Sequence, residues 1–164
     1  MPKIIKDGQV YEDSWQSLSL SEGDSASAVK VPEGQWIVPL NVWLEQKGTL
    51  KSRSDVGVQI SIDDDIELLA DDYANLPLLA FDFPAFMDGR GFSAAFLIRD
   101  RFGFQGELRA SGAFIRDQLC YLQRCGFNAF ALNEEDLEAA KASLADLQEA
   151  YQASADKAPL FRRR

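Results

Sequence analysis

Nine charged side chains crowd two loops in the middle of this chain. Asp82, Asp88, Arg90 and Arg99 surround the first, and Glu107, Arg109, Arg116, Asp117 and Arg124 the second. Arg90 lies between Gly89 and Gly91, whose free φ lets the backbone fold into an anion nest where a helix begins. Arg109 stands two residues from Glu107, so in a strand both project from one face. Guanidinium forks bind phosphate and sulfur oxyanions through paired hydrogen bonds. On a first reading Arg90 and Arg109 converge on an anion or cofactor phosphate beside Gly91, within a set formed by Asp82, Asp88, Gly89 and Arg116. On a second, Arg90, Arg109 and Arg116 are internal clamps paired with Asp82, Asp88, Glu107 and Asp117, and there is no site. Asp82, flanked by Phe81 and Phe83, is expected to be buried and so to need an arginine, backbone N–H groups or a ligand.

Other chemistry finds little support. Histidine is absent, which removes the commonest neutral-pH base and metal ligand. Cys120 and Cys125, the two cysteines, lie five apart and form neither a zinc set nor a CxxC centre, so no metal is expected. Cys125 has no histidine to activate it and reads as a buried thiol. The DGRG stretch lacks the GxGxxG spacing and ribose-binding acid of a dinucleotide fold, and no lysine follows to complete a phosphate loop. A flavin or NAD(P) held by backbone at strand ends stays open without a motif behind it. Asp63, Asp64 and Asp65 read as a helix cap rather than a calcium loop. A net charge of -9 argues against nucleic acid as a partner. No leader-like apolar stretch begins the chain, and no apolar run reaches the ~18 residues of a membrane span, so a soluble cytoplasmic protein is expected.

The elements that must position these residues follow from periodicity. Asp7-Gly8 between Lys3–Lys6 and Gln9–Glu12 predicts a β-hairpin over 3–12. Ser17–Lys30, poor in large side chains, predicts a long mobile loop. Trp36–Val38 is a further candidate strand, and Pro39 opens a helix that Gly48 is expected to end. Val56–Ile60, Leu78–Phe83, Glu107–Ala110 and Phe127–Leu132 read as strands. Each precedes a helical pattern: Ile66–Tyr73, Phe92–Phe102, Ala113–Cys125, and Glu134–Tyr151 capped by Asn133. Four βα units over 56–151 predict an α/β fold, a parallel sheet or half of a (βα)8-like barrel, in one domain spanning 1–154 with 155–164 as a tail. Asp88–Gly91 and Arg109 are expected at the same, carboxyl-terminal end of that sheet. An open sheet leaves an edge that a second copy would cover, which predicts a homodimer.

The run from Phe81 to Phe130 resembles a bacterial family of unknown function, DUF934. Its pattern FPxFxDGRG(F/Y)S is met by Phe83–Ser93, GELRAxG by Gly106–Gly112, RDQ by Arg116–Gln118 and RCGF by Arg124–Phe127. The likeness is looser over Ile4–Leu76, although the hairpin and Leu40–Trp43 are also similar. Met87 stands where the family frequently has threonine. Members are commonly described as probable oxidoreductases involved in sulfite reduction, so the resemblance implies a role beside sulfite reductase or another protein of sulfur assimilation. It implies no catalytic residue. Whether the chain is an enzyme stays open between an accessory protein, a small-molecule oxidoreductase using flavin or NAD(P), and a structural protein.

Overall fold

Short β-favouring runs alternate with helical segments along the chain, and all the strands join one sheet. The computed structural model describes residues 2–84, 89–114, 116–132 and 137–144. Its strands are β1 (Lys3–Lys6), β2 (Gln9–Glu12), β3 (Gln16–Ser17), β4 (Trp36–Pro39), β5 (Val56–Ser61), β6 (Leu78–Phe83), β7 (Glu107–Gly112) and β8 (Ala129–Phe130). The helices are α1 (Leu40–Leu50), α2 (Arg90–Asp100), α3 (Leu119–Cys125) and α4 (Leu137–Ser143). Spatially the strands run β2-β1-β8-β7-β6-β5-β4-β3. From β8 to β3 every pairing is parallel, while β1 pairs antiparallel with both β2 and β8. The hairpin turns at Asp7 and Gly8, which both have positive φ (47° and 75°), as the aspartate-glycine pair predicts.

Connectivity forces this sheet to curl. Laid flat, eight strands would set β2 and β3 roughly 34 Å apart, from seven spacings of about 4.8 Å. The chain passes from Glu12 to Gln16 in four steps that reach about 14 Å at most. The sheet is therefore a half-barrel, with Asp13–Trp15 crossing its mouth from one edge strand to the other.

The faces of this curl are chemically distinct. Outside, Val38, Val58, Ile60, Leu79, Phe81, Phe83, Leu108, Ala110 and Phe130 form one core with residues of all four helices. Inside, Trp15 packs on a small cluster of Ile37, Leu78 and Ala80. Strand alternation turns Glu107, Arg109 and Ser111 to this inner face while Leu108 and Ala110 face the helices.

Several boundaries differ from those the periodicity predicts. The parallel run begins earlier, with β3 and β4 before β5. The helix expected over Ile66–Tyr73 is a single 3-10 turn, Ile66–Leu69. The cause is local: the Tyr73 hydroxyl donates to the Ile66 carbonyl at 2.6 Å, and the Ala70 N–H bonds instead to Glu67. α1 passes Gly48 to Leu50, with a kink at Gln46. β7 runs two residues further than expected, so the next helix is shortened to a 3-10 turn, Arg116–Gln118, and α3. β8 keeps only two of six expected strand residues, since Asn128 turns its side chain to the Leu108 N–H. Of the last predicted helix, α4 is seen. Asn133 and residues 145–164, with the expected tail, lie outside the described residues. The 17–30 segment is anchored rather than loose: Gln46 donates to the carbonyls of Ala26 and Val29 at 2.8 and 2.7 Å. Arg53 secures the next stretch of chain, donating to the carbonyls of Val31, Pro32 and Gly34 and to the Asp55 carboxylate.

Candidate functional site

Strand register arranges the inner face in rows. Gln59, Ala80, Arg109 and Ala129 are successive partners across β5 to β8, and Lys6 of β1 pairs with Ala129. The next row toward the carboxyl ends is Ser61, Asp82 and Ser111.

Arg109 sits mid-strand between two alanines, which leave room for its guanidinium. It is 3% exposed. Its Nη1 and Nη2 hold both oxygens of Asp13 at 2.8 and 3.1 Å, and its Nε donates to Glu107 at 2.8 Å. The other Glu107 oxygen pairs with Lys6 at 2.8 Å. Two cations and two carboxylates thus satisfy one another inside the curl, as a buried charge requires. The cleft beside them, about 360 Å³, is lined by Tyr11, Trp15 and Gln35 as well as this network, and Gln35 and Glu107 place it at the amino ends of the parallel strands.

Arg90 is at the other end. It opens α2 and reaches across to Asp63, beyond β5, at 2.6 Å. Both side chains are exposed, at 60% and 76%. Gly91 explains the placement: a Cβ there would come within 2.5 Å of the Phe83 ring, so only glycine lets α2 begin against the end of β6. Asp82 precedes that phenylalanine. It is exposed, contrary to the expected burial, because the penultimate residue of β6 points inward at the open carboxyl mouth, where water reaches it. Gly112 (φ 89°) lies against its carboxylate; a Cβ there would stand 2.5 Å from Asp82 Oδ1. Nearby, a cleft of about 330 Å³ is lined by Pro39, Asn41, Gln59, Ser61 and Asp64.

The structure therefore keeps Arg90 with Asp82 and Gly89 at the carboxyl mouth, and does not bring Arg109 to them. Arg116 is exposed in its 3-10 turn, and Asp88 lies outside the described residues. The three aspartates after β5 divide their work. Asp63 pairs with Arg90, Asp64 accepts from the Ser61 N–H at 2.7 Å, and Asp65 caps the 3-10 turn through the Glu67 N–H at 2.9 Å. Among the described residues no group of three histidine, cysteine or acidic side chains is placed to hold a metal. Cys120 and Cys125 are both buried thiols.

Two networks were not legible from residue types. Asp13, the partner of Arg109, lies 96 residues before it and carries no local signal. Arg99 closes the amino end, donating to the carbonyls of Phe104, Gly106 and Gly126 at 2.7 to 2.9 Å. Burial lowers its pKa, with Asp7 acting in the opposite sense. The GELR and RCGF stretches thus meet through one guanidinium and through Asn128, whose amide oxygen accepts from the Leu108 N–H at 2.7 Å.

The sequence profile of DUF934, a bacterial protein family of unknown function, matches residues 57–161. The chain belongs to DUF934. The match runs from the second residue of β5 through β8 and includes Asp82 of β6 and Arg90 of α2, while the hairpin and Asp13 lie before it. No curated protein and no solved structure matches the chain. No helix among the described residues is long and apolar enough to cross a membrane.

Proposed function

We propose that this DUF934 protein is an accessory component of assimilatory sulfite and sulfate reduction that holds an oxyanion at the carboxyl ends of its parallel strands. One observation carries the site. Arg90 presents an accessible guanidinium at 60% exposure, against 4% for Arg109, and Asp63, one of the groups it pairs with, is itself in water. An exposed pair of this kind is worth little, so an incoming anion can exchange with Asp63 at small cost. The sulfur assignment rests on the resemblance of the Phe81–Phe130 run. On this reading the protein acts in the cytoplasm beside sulfite reductase, and as a homodimer whose second copy covers the exposed β2 edge; light scattering on the purified chain tests the last point.

The test of the site is calorimetric titration of sulfite and of phosphate into wild type and Arg90→Ala. Wild type is expected to bind, and the variant to lose roughly tenfold or more in affinity, the equivalent of about 1.4 kcal/mol, with an unchanged unfolding midpoint. Absence of binding by wild type sinks the proposal. For Arg109 the geometry favours the clamp reading, since every bond described for it goes to Asp13 or Glu107.

A further inference from the structure

Asp82 faces the carboxyl mouth from the inner row, between Ser61 and Ser111. It has no hydrogen-bond or ion-pair partner among the described residues, whereas Asp63, Asp64 and Asp65 each have one. Its carboxylate is confined from behind by the bare Cα of Gly112. The contact of Gly91 with Phe83 draws the start of α2, and so Arg90, to the same strand end. Arg90 therefore shares this mouth with two carboxylates, Asp63 and Asp82, and their described charges sum to an excess of negative.

That balance is hostile to a fully ionised dianion, which would meet like charge on two sides. It suits an acid monoanion, which offers a charged oxygen to the guanidinium and its own O–H to a carboxylate, a short and strong arrangement. We propose that Asp82 makes the site selective for oxyanions that still carry a proton, such as hydrogensulfite or dihydrogenphosphate, over sulfate; this rests on the oxyanion reading above. Asp82 accepts that proton in a hydrogen bond, and sulfate has none to offer.

Inorganic phosphate and sulfate, titrated separately at mildly acidic pH into wild type and Asp82→Asn, test this. Asp82 is exposed, so the variant should keep the wild-type unfolding midpoint. Wild type should favour phosphate by roughly tenfold or more. In Asp82→Asn, whose amide can donate, the preference should shrink by a similar factor as sulfate binding improves. Asp82→Ser, which removes the charge without adding an amide, should move the ratio the same way. Equal binding of both anions by wild type, or a ratio unchanged in both variants, overturns the selectivity and leaves the oxyanion reading standing. Wild type that binds neither anion overturns both.

Discussion

Arg109 and Arg90 show how one residue type divides between architecture and exchange with solvent. Arg109→Ala strands Asp13 and part of Glu107 in a buried, water-poor curl, and breaking such a network from one side costs about 3–5 kcal/mol. Urea unfolding should show that loss, and a variant of wild-type stability would deny the clamp. Asp72 is a second buried acid, 1% exposed, held by Lys47 at 2.8 Å and by the Trp43 indole at 3.2 Å through one oxygen. Tyr73 carries a pH dependence of definite sign. Its phenol is pushed far above its ordinary value, first by burial and then by the charge of Asp65. The folded state keeps the proton while the unfolded chain releases it from about pH 10. The stability this contributes is complete below that pH and declines as pH rises through it. Unfolding midpoints compared near pH 8 and pH 11 should fall further in wild type than in Tyr73→Phe, and equal declines would remove Tyr73 from the account. Of these partnerships Arg109–Glu107, two residues apart on one strand face, was legible beforehand; Asp13–Arg109, Lys47–Asp72 and Arg90–Asp63 were not, because they join residues that only the folded sheet brings close.

At the scale of elements much more could be read ahead. The hairpin at Asp7-Gly8 and the strands β5, β6 and β7 follow from turn chemistry and apolar runs, which are local signals. Where a side chain competes for the backbone, the reading failed: Tyr73 capturing the Ile66 carbonyl and Asn128 capturing the Leu108 N–H both shortened an element. Asp82 is exposed rather than buried because its flanking phenylalanines face the helices while it faces the open mouth. Two glycines fix the joins around it. Gly112→Ala would impose a Cβ on a φ of 89° and press it to 2.5 Å from the Phe83 carbonyl oxygen as well as Asp82, with destabilisation of roughly 1–3 kcal/mol expected. Gly91→Ala would drive its methyl into the Phe83 ring and should cost a similar amount, about 1–3 kcal/mol, while also displacing Arg90. Chemical denaturation measures both costs. A neutral result at Gly91 would mean that α2 is free to stand away from β6.

As a whole the molecule is a parallel half-barrel completed by a structure of opposite sense. The hairpin covers β8, and the crossing at Asp13–Trp15 ties β2 to β3 over an inner face that would otherwise lie open. Deleting residues 1–13 should therefore bare the β8 edge and take Asp13 from Arg109 together, giving a product that sediments as aggregate; a well-behaved truncated protein would contradict the closing role assigned to this segment. The pairing of β1 with β8 also has a consequence in time. Asp7 and Asn128, whose side chains meet at this junction, are 121 residues apart. During synthesis the hairpin emerges before β8 and waits on the order of ten seconds for this neighbour to be made. Contacts so distant along the chain are slow to form, because much loop entropy is lost before they are gained. Pairing of β1 with β8 is thus a late event: the hairpin is made well before the strand beside which it finds its place.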